Sequence, residues 1–244
     1  MTTQYKTHGL VFKQEDGLEA DRTFSIFTYD FGRLEVSGKA IRKITSKLKG
    51  SIEVFSFSEV EFVQGKTKKI LTDALFLEKC KNIPRSPEKM AVARNIAKVL
   101  DIFLKGEQKD EKTWGLLADV FEKLNSDSLR IKHCPLLYYY FVGNFILALG
   151  HGPEISHCAV CSRALQPESL YFSNEEGGVV CATCTNVHKC STKISPDVVK
   201  ILRLIMEKDW QVLSRLKMGS SLQTSLEILE SYLQYLLSAH SFKN

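Results

Sequence analysis

The sequence has no apolar run that reaches the length of a membrane span. The longest, around Leu136 to Leu149, is broken by Gly143 and Asn144 and reads as a buried helix. Met1-Thr2-Thr3-Gln4-Tyr5-Lys6 has no apolar h-region, so no signal peptide is expected. Internal repeats and low-complexity segments are also missing. No P-loop occurs, so nothing indicates ATP use. No GxSxG elbow places a serine nucleophile. Asp30-Phe31-Gly32 copies a kinase triplet, but no glycine-rich loop or HRD-type segment accompanies it. It fits a hairpin turn in which Gly32 takes positive φ.

What is present is ordinary for a soluble globular protein. Of 244 residues, 44% are hydrophobic and 25% charged, and the net charge is +5. This length allows one large domain or two small ones, and folding should bury roughly 70% of the unfolded surface. The mild positive charge permits a polyanionic partner without requiring one. The seven cysteines are an odd number. Without a secretory signal they imply a reducing, cytoplasmic setting, where clustered cysteines suggest metal rather than disulfides.

Residues 1 to about 80 read as β structure. Strands are expected near Tyr5 to Phe12, from Thr23 to Tyr29, through Leu34 and Val36, and from Ile52 to Val63 with a bulge at Ser56-Phe57-Ser58. A fifth should carry Ile70, Thr72, Ala74 and Phe76 on one face. Five short strands in so few residues suit a small closed barrel, the OB-fold being a common case.

Beyond Pro84 the apolar period becomes helical. Ser86 can cap a helix with Pro87 at its first position, and Ser195-Pro196-Asp197 is a second helix start. Val92, Ile96, Val99, Leu100 and Phe103 form one stripe, and Trp114, Leu117, Phe121 and Leu124 another. The series Leu222, Leu226, Leu229, Leu233 and Leu236 is too short for a zipper and reads as a packed helix. The fold class is α+β multidomain: an N-terminal OB-fold barrel at 1–80, helical segments at 81–156 and 193–244, and an insert at 157–192.

That insert carries two CxxC pairs, Cys158 with Cys161 and Cys181 with Cys184. Each pair makes a tight knuckle whose thiolates converge on one ion, and two knuckles supply the four sulfurs of a structural Zn²⁺ site. Four idle thiols are the plain alternative. Catalytic zinc fits poorly, because four thiolates leave no position open for water. Tyr171-Phe172-Ser173 and Gly178-Val179-Val180 are expected as strands joined through Asn174 to Gly177. His157, His188 and Cys190 are near enough to substitute as ligands but are read as bystanders, and Cys80 and Cys134 as core.

Lys39, Arg42, Lys43, Lys47 and Lys49 follow one another with no acidic residue among them, and Arg22 and Arg33 are expected near by. Cations interleaved with Ser and Thr on a barrel rim suit phosphate contact, and a solvated loop is the equal alternative. Phe24, Phe27, Tyr29, Phe31, Phe55 and Phe57 can stack on bases only if they reach the surface, and core is preferred for them. Glu15, Asp16, Glu19 and Asp21 are the carboxylates a metal-dependent nuclease would use, but a solvated loop explains them more cheaply.

These residues carry a family resemblance. Glu19-Ala20-Asp21-Arg22, Phe24 to Thr28, Asp30-Phe31-Gly32-Arg33-Leu34, Gly38 to Lys43, Ser46-Lys47-Leu48 and Ile52 to Phe55 resemble, in order and spacing, the opening of the RecO family of bacterial DNA repair proteins. The cysteine quartet, with Phe172-Ser173 and Gly177-Gly178-Val179-Val180 before its second pair, resembles that family's zinc-bearing members. Ala40 departs from the pattern, which often has glycine after the lysine. The resemblance implies one structural zinc per chain and no catalytic residue. It implies binding of single- and double-stranded DNA, strand annealing, and location with the nucleoid. It also implies partnership with RecR and with the C-terminal tail of single-stranded DNA-binding protein, in loading the RecA recombinase.

Overall fold

The computed structural model describes residues 3–48, 50–185, 191–217 and 219–241. The chain divides into two compact units, Met1–Cys134 and Pro135–Asn244.

In the first unit, alternating apolar residues build β1 (Gln4–Asp16), β2 (Arg22–Thr28), β3 (Gly32–Gly38), β4 (Ser56–Gln64) and β5 (Lys69–Lys79). They close into a barrel in the order β1-β2-β3-β5-β4, with β3 and β5 parallel and the other pairs antiparallel. This is the strand order of an OB-fold. Val11, Phe24, Ile26, Leu34, Val36, Val60, Phe62 and Leu71 fill its interior. Gly32 turns the β2–β3 hairpin at φ 68°.

Three β-strand expectations are corrected. The strand foreseen from Ile52 begins only at Ser56, because Phe55 takes φ 64° and breaks the extended run. Ile52 and Phe55 are nevertheless buried, Ile52 in the barrel core and Phe55 beside the ring of Phe121. In β5 the inward residues are Leu71 and Ala74 rather than a continuous series from Ile70 to Phe76. A register shift at Glu61/Phe62 leaves Thr72 unpaired, and a bulge changes which side chains face inward. The bulge expected in β4 at Ser56-Phe57-Ser58 lies instead on the facing strand: Phe57 pairs with Glu78 and Ser58 with Phe76, which leaves Leu77 of β5 as the extra residue.

Helices α1 (Pro87–Phe103) and α2 (Glu111–Asn125) complete the unit. Ser86 caps α1 by accepting from Lys89 N, with Pro87 in the first turn. Asp110 caps α2, accepting from Lys112 N and Thr113 N at 3.0 Å each. The α2 stripe meets the barrel through aromatic rings: Phe57 lies edge-on to Trp114 and Phe121, and Phe55 lies 6.2 Å from Phe121.

The second unit is built on α3 (Cys134–Ala148), which is apolar on nearly all sides and buried for most of its length. There follow β6 (Leu170–Ser173), β7 (Gly178–Cys181), the single turn α4 (Ala182–Thr185) and β8 (Ser191–Ile194). The helices α5 (Pro196–Met206), α6 (Trp210–Leu213) and α7 (Ser220–Ser241) end the chain. Ser195 caps α5, again with Pro at its start. Buried Asn144 donates to the Ile205 carbonyl at 2.7 Å, joining α3 to α5. Leu222, Leu226, Leu229, Leu233 and Leu236 are all buried on α7. No described helix is long and apolar enough to cross a membrane.

Candidate metal centre and nucleic-acid interface

The two CxxC pairs come together. The Sγ atoms of Cys158, Cys161, Cys181 and Cys184 all lie within 4.8 Å of one another. Cys161 and Cys181 sulfurs are 3.9 Å apart. Metal–sulfur bonds of about 2.3 Å in a tetrahedron place sulfurs about 3.8 Å apart, so this spacing suits one ion. Cys158 is buried and the other three are half-buried.

Local backbone structure presents each pair. In the first knuckle Ser162 N donates to the Cys158 carbonyl at 2.8 Å, and Ser162 turns the chain at φ 58°. In the second, β7 delivers Cys181 and the turn of α4 delivers Cys184. Cys181 N donates to Cys158 Sγ at 3.4 Å, tying the knuckles together. Burial pushes the Cys158 thiol up, but backbone N–H groups of Cys161, Cys181 and Val160 bring it down to about 6. Desolvation and the three neighbouring sulfurs push Cys184 up to about 12. Four thiolates this close need a cation between them, which is the condition of a metal site.

Glu154 and Gly178 were not foreseen as parts of this centre. Glu154 N donates to Gly177 O, and its carbonyl accepts from Val179 N at 2.7 Å. Its carboxylate accepts from Ser156 N and His157 N, at 2.6 and 3.0 Å, on the approach to Cys158. These backbone bonds hold the Glu154 carboxyl below its ordinary range. The β7 strand can approach this closely only because residue 178 is glycine; a Cβ there would collide with the Glu154 backbone. The sequence signal was the Gly177-Gly178 pair. His157 stands outside the sulfur group. His188 and Cys190 lie outside the described residues. Cys80 and Cys134 are buried, and burial with the nearby Glu78 pushes Cys80 up to about 12.

The basic run lies on the β3–β4 connection. Lys39, Arg42, Lys43 and Lys47 are exposed, and Lys49 lies outside the described residues. Among the described residues, none of Lys39, Lys43 and Lys47 is in an ion pair. The connection is pinned to the β1–β2 loop. Ala40 N donates to Asp21 Oδ1 at 2.7 Å, Arg42 N to Ala20 O at 3.0 Å, and the Arg42 guanidinium to the carbonyls of Gly17 and Glu19. Asp16 bridges Arg22 at 2.6 Å and Arg42 at 3.3 Å, and these cations, Arg22 first, hold its carboxyl below the usual range. Asp16 and Asp21 are therefore anchors for the basic loop. Arg33 is elsewhere: it is nearly buried and bonded to α1.

The aromatics of the barrel are core. Phe24, Phe27, Phe55 and Phe57 are buried and Phe31 is half-buried. Tyr29 is exposed but faces Trp114, with Lys109 Nζ 4.6 Å from its ring centre.

Comparison with known proteins points to one family. A family model described as Recombination protein O N terminal matches residues 1–78. Another, described as Recombination protein O C terminal, matches residues 84–244. A DNA repair protein RecO of Dehalococcoides mccartyi strain BAV1 is 31% identical over 224 residues, 92% of this chain and 87% of that protein. RecO proteins of Roseiflexus sp. strain RS-1 and Desulforamulus reducens strain MI-1 are 25% and 23% identical, each over 96% of this chain, and over 81% and 90% of their own lengths.

Proposed function

The chain belongs to the RecO family of DNA repair proteins, and from that premise we propose that it is a non-catalytic recombination mediator that holds DNA on its barrel. The reading includes single- and double-stranded DNA, annealing of complementary strands, and loading of a recombinase onto DNA coated by single-stranded DNA-binding protein. RecR and the C-terminal tail of that coating protein are its partners in this reading. Its setting is the cytoplasm, with the nucleoid.

The observation that carries the DNA-binding part is the pinned basic loop. Lys39, Arg42, Lys43 and Lys47 are exposed on a connection tied to its neighbour by four hydrogen bonds. Cations held on a firm frame neutralise phosphates without reading sequence. Annealing then requires two strands held close, while base pairing supplies the driving force. Arg33 has a structural role in this reading, and Arg22 supports the loop through Asp16.

The metal of the cysteine quartet is proposed to be one structural Zn²⁺. Its chemistry when bound is to hold the two knuckles, since four thiolates complete its coordination.

Single-stranded DNA binding measured by fluorescence anisotropy across a salt series tests this reading. Each phosphate neutralised contributes about −0.7 to the log–log salt slope, so five contacts give about −3.5. Changing Lys39, Lys43 and Lys47 to Ala should weaken binding and flatten the slope by about 2. Arg42 is left in place because it anchors the loop. A folded triple variant with unchanged affinity and slope moves the DNA site off this loop. Partner binding with no DNA binding at any salt makes the protein an adaptor instead.

A further inference from the structure

We propose that the paired β1–β2 and β3–β4 loops also touch unstacked bases, which makes this part of the barrel favour single-stranded over duplex DNA. The inference rests on the DNA-binding reading above and names the form of the ligand.

The loops carry two aliphatic side chains with almost no cover. Leu18, on the β1–β2 loop, is 91% exposed, and Ile44, on the β3–β4 connection, is 90% exposed. Scattered apolar residues on a surface are commonplace. These two differ in their setting. Leu18 sits between Gly17 and Glu19, whose carbonyls both accept from Arg42, two residues before Ile44. Ala40 and Asp21 make a further tie. The tips thus stand on a cross-braced frame.

Beside them the β3–β4 connection and the start of β2 enclose an open cavity of about 270 Å³. Its floor is the outer edge of the core residues Phe24, Ile41 and Ile52 together with half-buried Leu48, and Arg22 and Arg42 form its charged edge. Its volume is that of about nine waters, more than enough to admit a single pyrimidine ring. Lys39, Lys43 and Lys47 are exposed on the connection that forms it.

Apolar tips and an apolar hollow within a cationic border match a polyanion that also offers flat apolar rings. A duplex offers the charge but keeps its ring faces stacked inside. A single strand offers both, and contact with ring faces is indifferent to sequence. Guanidinium groups at the edge add a cation that rings attract. The lysines then provide the salt-dependent part of binding, and the apolar groups a part that is independent of salt.

Anisotropy titrations with three labelled probes separate these parts: oligo-dT, an abasic oligonucleotide of the same length and charge, and a blunt duplex. The wild-type chain should bind oligo-dT about tenfold more tightly than the abasic strand, with the same salt slope for both. The double variant Leu18→Ser, Ile44→Ser removes side chains that pack on nothing, so its fold is retained. It should lose most of that preference while its affinity for the abasic strand and the duplex is unchanged. Equal wild-type affinity for oligo-dT and the abasic strand overturns the inference and leaves the DNA-binding reading intact. A preference that survives in the double variant also overturns it, and assigns the tips to another contact. Failure of all three probes to bind at low salt removes both readings.

Discussion

Arg33, on β3, sets its guanidinium against the C-terminus of α1, donating to the carbonyl oxygens of Asp101 and Leu104 at 2.8 and 2.9 Å and to the Asp101 carboxylate at 2.7 Å. The last turn of α1 has no basic residue of its own. A helix C-terminus carries unsatisfied carbonyls and partial negative charge, so a cation from the barrel supplies what the helix lacks. The Arg33 side chain is only 12% exposed, which shields these bonds from water. Arg33→Ala should destabilise the first unit by about 2–3 kcal/mol, since hydrogen bonds to charged groups contribute about 1.5–3. Urea unfolding followed by tryptophan fluorescence measures this, Trp114 lying in that unit. A loss under about 0.5 kcal/mol makes the contact incidental.

Acid should weaken the same joint. Burial alone raises the Asp101 carboxyl, but Lys13 and Arg33 outweigh it and hold it below its usual range. A carboxyl lowered on folding stabilises the fold fully above its unfolded pKa, about 3.9. That contribution disappears as pH falls through the lower folded value. Stability of the first unit should therefore be level between about pH 7 and 5 as far as this group is concerned, and decline below about 4. Asp101→Asn should flatten the acid limb. An unchanged acid limb in Asp101→Asn assigns the decline to other carboxyls.

The barrel was legible because its interior imposes a period of two on Phe24, Ile26, Leu34 and Val36, and nothing local competes with that period. Both Ser-Pro helix starts were legible for a similar reason: the cap and the proline act within one turn. The cysteine quartet was legible because ligand spacing is itself a geometric statement. What escaped were features set by non-neighbours. The unpaired Thr72 depends on the register of β4, and the break at Phe55 on how Ile52 and Phe55 are buried. β8 buries only Ile194, too little for a visible alternation. Arg33 looked like a phosphate ligand because its partner, Asp101, is 68 residues away. Asp16 and Asp21 looked like a solvated cluster because the cation and amide they hold come from the following loop.

Ala40 marks a place where this chain can be improved. It takes φ 52°, where a Cβ meets backbone atoms, at a cost of about 1–2 kcal/mol. Glycine avoids that cost but loses about 0.4–1 kcal/mol through its freer unfolded state. Ala40→Gly should therefore stabilise the chain by about 0.5–1 kcal/mol, raising Tm by roughly 1–4 °C. Its amide still reaches Asp21, so DNA binding should not change. A fall in Tm means that Ala40 is not strained.

The cysteine centre gives two perturbations with different expected signatures. Cys161→Ser removes a ligand directly. Metal content by elemental analysis should fall from about one ion per chain to well below half, and the second unit should lose several kcal/mol, as structural sites of this kind supply on the order of 10 kcal/mol to folding. Gly178→Ala leaves all four sulfurs but drives a Cβ into the Glu154 backbone. The β7 strand must then move away from the segment that leads to Cys158, at a cost of about 1–3 kcal/mol. Metal should still bind at saturating concentration, with affinity weakened by about tenfold or more in a chelator competition. Full occupancy with unchanged affinity in Gly178→Ala means that the knuckles are placed by their own turns. Retention of a full ion in Cys161→Ser means that the four sulfurs do not act as one site.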